Sequence, residues 1–105
     1  MIVKICGVPY RIEYCDENFS YDEHLGRIIY SEGVIRINKS CTEEMRKEVL
    51  YHEIVHGILW HTGQYNIHNE EPLVQALANA MYNMFELKTI DREEKDKNTE
   101  KEEEK

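Results

Sequence analysis

The sequence lacks several features that would each point to a different class of protein. It has no run of about eighteen apolar residues, which excludes a helix long enough to span a membrane. Its three cysteines (Cys6, Cys15 and Cys41) are an odd number without a Cys-x-x-Cys pair, which argues against a disulfide framework or a cysteine-based zinc site. The net charge of −8 disfavours direct binding to nucleic acid, because neutralising phosphates needs clustered Lys and Arg. The N-terminus lacks the basic start and apolar stretch of a signal peptide, so we expect a cytoplasmic protein.

The first forty residues have the pattern of β structure in one small domain. Two pairs of segments alternate apolar and polar side chains, and a glycine-containing turn joins the members of each pair. These patterns predict two β-hairpins with a polar loop between them. The predicted strands are 2–6, 10–15, 27–31 and 34–38, with turns at 7–9 and Glu32-Gly33 and the loop at 16–26.

After residue 40 the apolar residues recur with a helical period. Ser40 and Glu43 match a capping box at the start of a helix, and Gly63 suits its end. From residue 49 onward this helix is apolar almost all round, which predicts a central, buried helix. A second helix is predicted from Asn69, with acidic residues and a proline in its first turn and a broad apolar face. The predicted fold is therefore α+β, with a sheet of two hairpins packed on two main helices.

The composition changes abruptly at residue 89. From there to the C-terminus most residues are charged, and the segment has no apolar face to bury. We therefore expect a folded domain over residues 1–88 and a charged, solvated tail over 89–105, disordered or continuing as a frayed helix.

The most informative motif is His52-Glu53-Ile54-Val55-His56, which has the H-E-x-x-H pattern. Positions i and i+4 of a helix lie on one face, so both imidazoles can bind the same metal ion. Glu53 then lies beside the metal without being needed as a ligand, where it can take a proton from water. Polar side chains are costly inside a buried helix, so these residues need a functional reason to be there.

A catalytic zinc site needs a third protein ligand and an open position for water. The downstream candidates are His61, His68, Glu70 and Glu71. The metzincin extension fails, because Leu59 and Thr62 occupy the positions where it has glycine and histidine. A carboxylate from the first turn of the second helix fits better, and helical geometry alone leaves Glu70 and Glu71 both open.

Two segments carry a resemblance to a known family. Residues 49–60 read Val-Leu-Tyr-His-Glu-Ile-Val-His-Gly-Ile-Leu-Trp, and residues 71–79 read Glu-Pro-Leu-Val-Gln-Ala-Leu-Ala-Asn. Together they resemble the ImmA/IrrE-type zinc metallopeptidases, and more narrowly the minimal forms encoded by bacteriophages and mobile elements. In that family a glutamate seven residues before the alanine of a Phe/Leu-Ala pair is the third zinc ligand. Here the pair is Leu77-Ala78, so the resemblance implies that Glu71 is this ligand.

The resemblance implies a small zincin-like domain that hydrolyses peptide bonds, with zinc held by His52, His56 and Glu71. Glu53 would be the general base, and the substrate would be a protein or peptide such as a transcriptional regulator. By analogy with zincins, strand 34–38 would be the edge to which an extended substrate adds. Within these 105 residues we do not expect a helix-turn-helix or separate substrate-binding domain like those found in the family.

Other interpretations of the same residues remain open. The protein could be a catalytically silent, metal-stabilised module that binds a phage or host regulator, although binding alone does not need Glu53. The histidines could also be hydrogen-bonded core residues, or ligands of a structural zinc with four protein ligands. A SprT-like protease domain working near DNA is disfavoured by the acidic charge. The donor that polarises the substrate carbonyl could be one of four side chains, namely His61, His68, Tyr65 and Tyr82.

Overall fold

Alternating apolar residues at the N-terminus form the first hairpin. The computed structural model describes residues 1–16 and 25–90, and begins with strands β1 (Ile2–Ile5) and β2 (Val8–Cys15) in antiparallel register. Four side chains of this hairpin are buried on one face, because the strand period of two directs them to the same side. They are Val3, Ile5, Tyr10 and Ile12.

The second hairpin joins the first through a parallel pair of strands. Strands β3 (Gly26–Ile29) and β4 (Val34–Asn38) pair antiparallel, and the turn between them ends at Gly33, whose φ of 64° suits glycine. Strand β4 also pairs with β2 in parallel, which gives a four-stranded mixed sheet with the order β1-β2-β4-β3. Both predicted hairpins are confirmed, while the loop predicted between them lies largely outside the described residues.

Within the described residues three helices follow the sheet: α1 (Glu43–His61), α2 (Tyr65–His68) and α3 (Glu71–Met84). Helix α1 lies between the sheet and α3, with contacts to both, and its residues 53–57 are all buried. Helix α3 has only Val74 and Ala78 buried, and both pack against α1. The predicted α+β class, with two long helices on a sheet, is therefore confirmed. Among residues 1–16 and 25–90, no helix is long and apolar enough to cross a membrane.

Helix α1 begins two residues later than the capping box predicts. Thr42 is its N-cap, because the Thr42 hydroxyl accepts a hydrogen bond from the Met45 N–H at 3.2 Å. The Ser40 hydroxyl instead donates to the Asn38 side-chain oxygen at 2.8 Å, within the turn that leaves β4. The predicted end is confirmed: the helix stops at His61, and Gly63 follows with a φ of 77°.

The connection between the long helices contains a short helix that the sequence pattern did not predict. Asn69 is the C-cap of α2 and Glu70 is the N-cap residue of α3, so the predicted start of the second helix is wrong by one residue. Helix α3 begins at Glu71 with Glu70 as its N-cap residue, and Pro72 lies in its first turn. His68, the last residue of α2, therefore lies close to the candidate metal ligands.

Strand β4 lies inside the sheet, which corrects the prediction that 34–38 forms the substrate-binding edge. It pairs with β2 on one side and β3 on the other, so the edge strands are β1 and β3. Three of its side chains (Val34, Ile35 and Ile37) have no exposed surface, and a strand buried on both faces takes an interior position. Strand β3 is only partly buried and lies at the edge.

The start of the predicted tail contacts the first strand. Ile90 forms an isolated β-bridge with Ile2, with N···O distances of 2.6 Å and 2.7 Å. Residues 89 and 90 thus belong to the described domain, and the rest of the tail lies outside the described residues.

We expect Gly26→Ala to lower the free energy of unfolding by about 1–3 kcal/mol, the usual cost of overpacking. A Cβ at Gly26 would overlap Val49 Cγ1 and lie 2.9 Å from the Arg36 carbonyl oxygen, so the edge strand would have to shift. Gly57→Ala is the matched control, because its nearest neighbour would be the flexible end of Ile5 at 2.8 Å and the helix would gain about 1 kcal/mol in propensity. Urea unfolding of both variants measures the difference. Equal stability of Gly26→Ala and wild type would contradict the close approach of β3 to α1.

Candidate metal centre

Helix α1 places His52 and His56 one turn apart on the same face, with ring centroids 4.9 Å apart. Glu71, in the first turn of α3, extends its carboxylate to both rings. Its Oε1 lies 2.8 Å from His52 Nε2, and its Oε2 lies 3.1 Å from His56 Nε2. The candidate ligand atoms of the three residues all lie within 4.8 Å of one another, close enough to hold one metal ion.

The packing of α3 on α1 determines which glutamate reaches the histidines. Val74 and Ala78, three and seven residues after Glu71, have at most 1% of their surface exposed and contact Tyr51 and Val55 of α1. A residue three or four positions before a buried one lies on the same side of the helix, so Glu71 is at the edge of this interface. Glu70 precedes the helix as its cap, and the cluster of potential ligands includes Glu71 and not Glu70.

A hydrogen-bond chain along α3 orients His52. Gln75 donates its side-chain N–H to Asn79 Oδ1 at 2.8 Å, which turns Gln75 Oε1 toward His52 Nδ1, also at 2.8 Å. An amide oxygen only accepts, so His52 Nδ1 carries the hydrogen. In the neutral imidazole the lone pair is then on Nε2, the atom that faces Glu71. Partners of this kind commonly orient the histidine ligands of metal sites.

His56 is oriented in a similar way by a second histidine. Its Nδ1 lies 3.1 Å from His68 Nδ1, and its Nε2 faces the Glu71 carboxylate. Burial lowers the pKa of His56, although the Glu71 carboxylate opposes this effect. A neutral imidazole is the form that binds metals. With Nε2 used as a metal ligand, His56 Nδ1 would donate its hydrogen to His68.

The arrangement fits a zinc ion. The lone pair of neutral His52 faces a carboxylate oxygen at 2.8 Å, and two acceptors at this distance repel unless a proton or a cation lies between them. Two imidazole nitrogens and one carboxylate are a ligand set that catalytic zinc sites use, with the fourth position open. Ligand atoms around a tetrahedral zinc ion lie about 3.3 Å apart, close to the two nitrogen–oxygen distances observed here. The identity of the metal is part of the proposal below.

Glu53 lies beside these ligands in a buried position. Only 8% of its surface is exposed, yet it lines the same cavity as His52, His56 and Glu71. Burial and, to a smaller extent, the Glu71 carboxylate raise the pKa of Glu53 to about 8, although a hydrogen bond from the Ile28 backbone partly opposes the rise. A cation held by the three ligands would favour the ionised form of Glu53. The carboxyl group can thus both accept and return a proton near neutral pH.

The cavity at the site has a volume of about 380 Å³ and lies between the edge strand β3 and helix α1. One wall consists of residues 25–28 with Tyr30, and the opposite wall consists of α1 side chains. The remaining lining residues come from α2, α3 and the residue between them: His68, Asn69, Glu71 and Gln75. The candidate ligands therefore line a cavity at the surface, beside the edge strand β3.

The four side chains predicted to polarise the substrate carbonyl lie at different places in the structure. His68 lines the cavity, whereas the other three are not among its lining residues. His61 lies 2.6 Å from the Tyr10 hydroxyl through its Nε2, and Tyr65 packs edge-on against Trp60. Tyr82 packs against Tyr51 in the interface of α1 with α3.

The sequence patterns did not indicate two residues of the site, Gln75 and Tyr30. Gln75 follows Glu71 by four residues on the same helical face, so its position was a usable signal. Tyr30 lines the cavity, stacks on Trp60 with ring centroids 4.5 Å apart, and donates its hydroxyl to the His56 carbonyl at 3.4 Å. Burial, followed by the charge of Glu53, raises the pKa of Tyr30, so its hydroxyl stays protonated. No sequence pattern distinguished Tyr30 from the other tyrosines.

Comparisons with protein-family models, with curated proteins and with solved structures find no match for this chain. A function is therefore argued from the converging ligand atoms, the buried Glu53 and the groove beside them.

We expect Glu53→Gln to stabilise the metal-free protein increasingly as the pH rises from about 5 to about 8. The folded-state pKa of Glu53, about 8, is above the usual value of 4.5, so folding favours the protonated form. This contribution to stability is complete below about pH 4.5 and is lost as the pH rises through 8. His56 acts in the opposite direction, since its lowered pKa makes the folded state lose stability as the pH falls.

Urea unfolding of both proteins with a chelator, at several pH values, isolates the Glu53 contribution as the difference between them. The difference should reach a few kcal/mol and level off above about pH 8. A difference that does not change with pH would show that Glu53 is not held protonated in the folded protein.

Proposed function

We propose that this protein is a zinc-dependent metallopeptidase of the ImmA/IrrE type that hydrolyses a peptide bond in a regulatory protein. The observation that carries the proposal is the convergence of His52, His56 and Glu71 within 4.8 Å, with Glu53 buried beside them in one groove. If the two histidines were only hydrogen-bonded core residues, there would be no reason for both imidazoles to face one carboxylate. A structural zinc would need a fourth protein ligand, and the cluster found among residues 1–16 and 25–90 has three.

Zinc is the metal that we propose, with His52, His56 and Glu71 as its ligands. When bound, a zinc ion supplies Lewis acidity, which lowers the pKa of water toward about 7 and polarises a carbonyl group. Gln75 and His68 hold the two imidazoles with the correct nitrogen turned toward the site. This orientation is set before a metal arrives, so little rearrangement is needed on binding.

Glu53 is the proposed general base and acid. Burial raises the pKa of Glu53 and a bound zinc ion would lower it, and these opposing effects suit proton exchange near neutral pH. In the forward reaction its carboxylate takes a proton from the attacking water and passes it to the leaving amine. The Ile28 backbone hydrogen bond, from the edge strand, fixes the carboxyl group at the wall of the groove.

Strand β3 replaces β4 as the proposed substrate-binding edge. It is the edge strand that lines the cavity, and it packs beside α1. An extended peptide could add to β3 through main-chain hydrogen bonds, the recognition mode of exposed sheet edges. The carbonyl groups of a peptide bound in this way would lie close to the three proposed ligands and to Glu53.

His68 is the proposed donor to the substrate carbonyl. It is the one member of the four predicted donors that lines the cavity. When His68 Nδ1 accepts the hydrogen bond from His56, its Nε2 carries the hydrogen of the neutral ring. That N–H is available to stabilise the negative charge that develops on a carbonyl oxygen during hydrolysis.

The test is cleavage of a regulatory protein encoded near this chain, and of a diverse peptide mixture, by the zinc-loaded protein. Mass spectrometry of the products would locate the cleaved bond. We expect cleavage that stops when a chelator removes the metal and returns when zinc is restored. Failure to cleave any neighbouring protein or peptide would favour the alternative function, a metal-stabilised module that binds a regulator without cleaving it.

A further inference from the structure

Three apolar side chains line the cavity at the candidate metal centre and keep part of their surface accessible. Leu25 and Met45 have exposed fractions of 39% and 38%, and Val49 is half-buried. Single exposed apolar residues are common, but several that line one concave site together with polar groups are typical of a ligand-binding pocket. We name Leu25, Met45 and Val49 the apolar subsite.

The apolar subsite occupies one end of the cavity. Met45 and Val49 are four residues apart, so they lie on the same face of α1. Leu25 directly precedes Gly26, and Gly26 is so close to Val49 that an added Cβ would overlap the valine side chain. The start of β3 and the first two turns of α1 therefore form this end of the cavity together.

The proposed metal ligands lie between the apolar subsite and a polar end of the same cavity. His52 follows Val49 by three residues on α1. Beyond it, the Tyr30 hydroxyl donates to the His56 carbonyl, and His68 Nδ1 lies 3.1 Å from His56 Nδ1. Tyr30 and His68 both line the cavity and both carry polar groups. A peptide cleaved at this centre would thus meet an apolar wall on one side of the cleaved bond and polar groups on the other.

The contacts between β3 and α1 indicate how far the apolar subsite lies from the bond to be cleaved. Gly26 packs on Val49, and two residues later the Ile28 backbone forms a hydrogen bond with Glu53. Two strand residues cover about 6.6 Å, and the four helical residues from Val49 to Glu53 cover about 6 Å, so the two elements run side by side here. A peptide added to β3 would follow the same direction. Its second residue from the cleaved bond would then lie level with Val49.

We propose that the apolar subsite binds an apolar side chain of the peptide substrate, at the second residue from the cleaved bond. This inference rests on the proposed peptidase function and adds a preference to it. A side chain of the size of leucine would leave water on contact with Val49, and the flexible Met45 can adapt to its shape. An acidic side chain is disfavoured, because the exposed Glu48 carboxylate also lines the cavity next to Val49.

Short peptides that bind zinc and are not cleaved test the subsite through binding alone. One series ends in a C-terminal hydroxamate, which places the peptide on the N-terminal side of the bond. The other begins with a thiol, which places it on the C-terminal side. The second position from the anchor is glycine, leucine or glutamate. Calorimetry with the zinc-loaded protein measures each affinity.

In one of the two series leucine should bind about tenfold more tightly than glycine, the effect of partly burying its side chain. Glutamate should bind more weakly than glycine in that series. The other series should show no such order, because its peptides lie toward Tyr30 and His68. The absence of a leucine preference in both series, or an equal preference in both, would overturn the proposal.

Met45→Ala tests the subsite itself. It removes part of one wall, so the preferred residue should change from leucine to the larger phenylalanine while zinc content stays the same. Met84→Ala is the matched control, because Met84 is 70% exposed and is not among the residues that line the cavity. Its preference should equal that of the wild type. An unchanged preference in Met45→Ala would show that the subsite does not select the side chain.

Hydrolysis is measured separately, by sequencing the products of a peptide mixture. Binding with a leucine preference and without any cleavage would support the subsite and contradict the peptidase function. Cleavage without an apolar preference at the second residue would support the peptidase function and overturn the subsite.

Discussion

Glu53→Gln is expected to keep one zinc ion per chain while lowering the rate of peptide hydrolysis by about 10²–10⁴-fold. Glutamine has the size of glutamate and keeps a side-chain oxygen that can accept the Ile28 backbone hydrogen bond. It cannot take a proton from water, so the reaction loses its base while the ligands His52, His56 and Glu71 are unchanged. Hydrolysis is measured as product formation by mass spectrometry, and zinc is measured by elemental analysis of the same preparation.

Glu70→Gln is the matched control for this experiment. It makes the same chemical change next to a proposed ligand, at a residue outside the ligand cluster. Its hydrolysis rate and zinc content should equal those of the wild type. If wild type and Glu53→Gln cleaved the substrate at equal rates, the cleavage would have to be assigned to another group or to a contaminating protease.

Substitution of the proposed metal ligands should have the second large effect, a loss of zinc binding. His52→Ala or His56→Ala should abolish zinc binding, because three-ligand sites rarely survive the loss of an imidazole. Glu71→Ala should weaken zinc far more than Glu70→Ala, since the Glu71 carboxylate lies 2.8 Å and 3.1 Å from the two rings. Competition with a chromogenic chelator measures the dissociation constants.

Two further variants serve as graded comparisons in the same assay. Gln75→Leu and His68→Leu remove the partners of His52 and His56 without removing a ligand, so each should weaken zinc by about 10–100-fold. Stoichiometric zinc in the His52→Ala protein would refute the ligand assignment. A stronger loss from Glu70→Ala than from Glu71→Ala would mean that the register of α3 is wrong by one residue.

The sequence specifies the centre of the site because helix geometry is local. An i, i+4 pair of histidines is on one face wherever the helix lies, and the apolar positions Val74 and Ala78 orient α3 so that Glu71 is at the interface. Glu70 remained open from periodicity alone, since adjacent helical residues differ by a modest rotation. The choice needed the actual contact of α3 with α1, which a single sequence does not contain.

The features that were missed depend on contacts between distant segments. Strand β4, and not β3, pairs with the first hairpin because β4 is buried on both faces. The alternation of apolar and polar residues within each strand does not predict the order of the strands in the sheet. The helix α2 is too short for a periodic signal, so the position of His68 beside His56 could not be read. Thr42 and Ser40 are both good caps, and the turn after Asn38 selects between them.

The partial burial of α3 has a consequence for how the domain would respond to a bound metal ion. Helix α3 packs on α1 through the buried Val74 and Ala78 and the partly exposed Met81 and Tyr82, so it buries a smaller part of its surface than α1 does and is more open to local unfolding. The proposed ligand Glu71 is in its first turn, so a metal ion bound to Glu71 and to the α1 histidines would cross-link the two helices and close the segment between them. Metal binding would therefore slow the local opening of α3. The amide hydrogen-exchange rates of α3 should then decrease more on metal binding than those of the sheet.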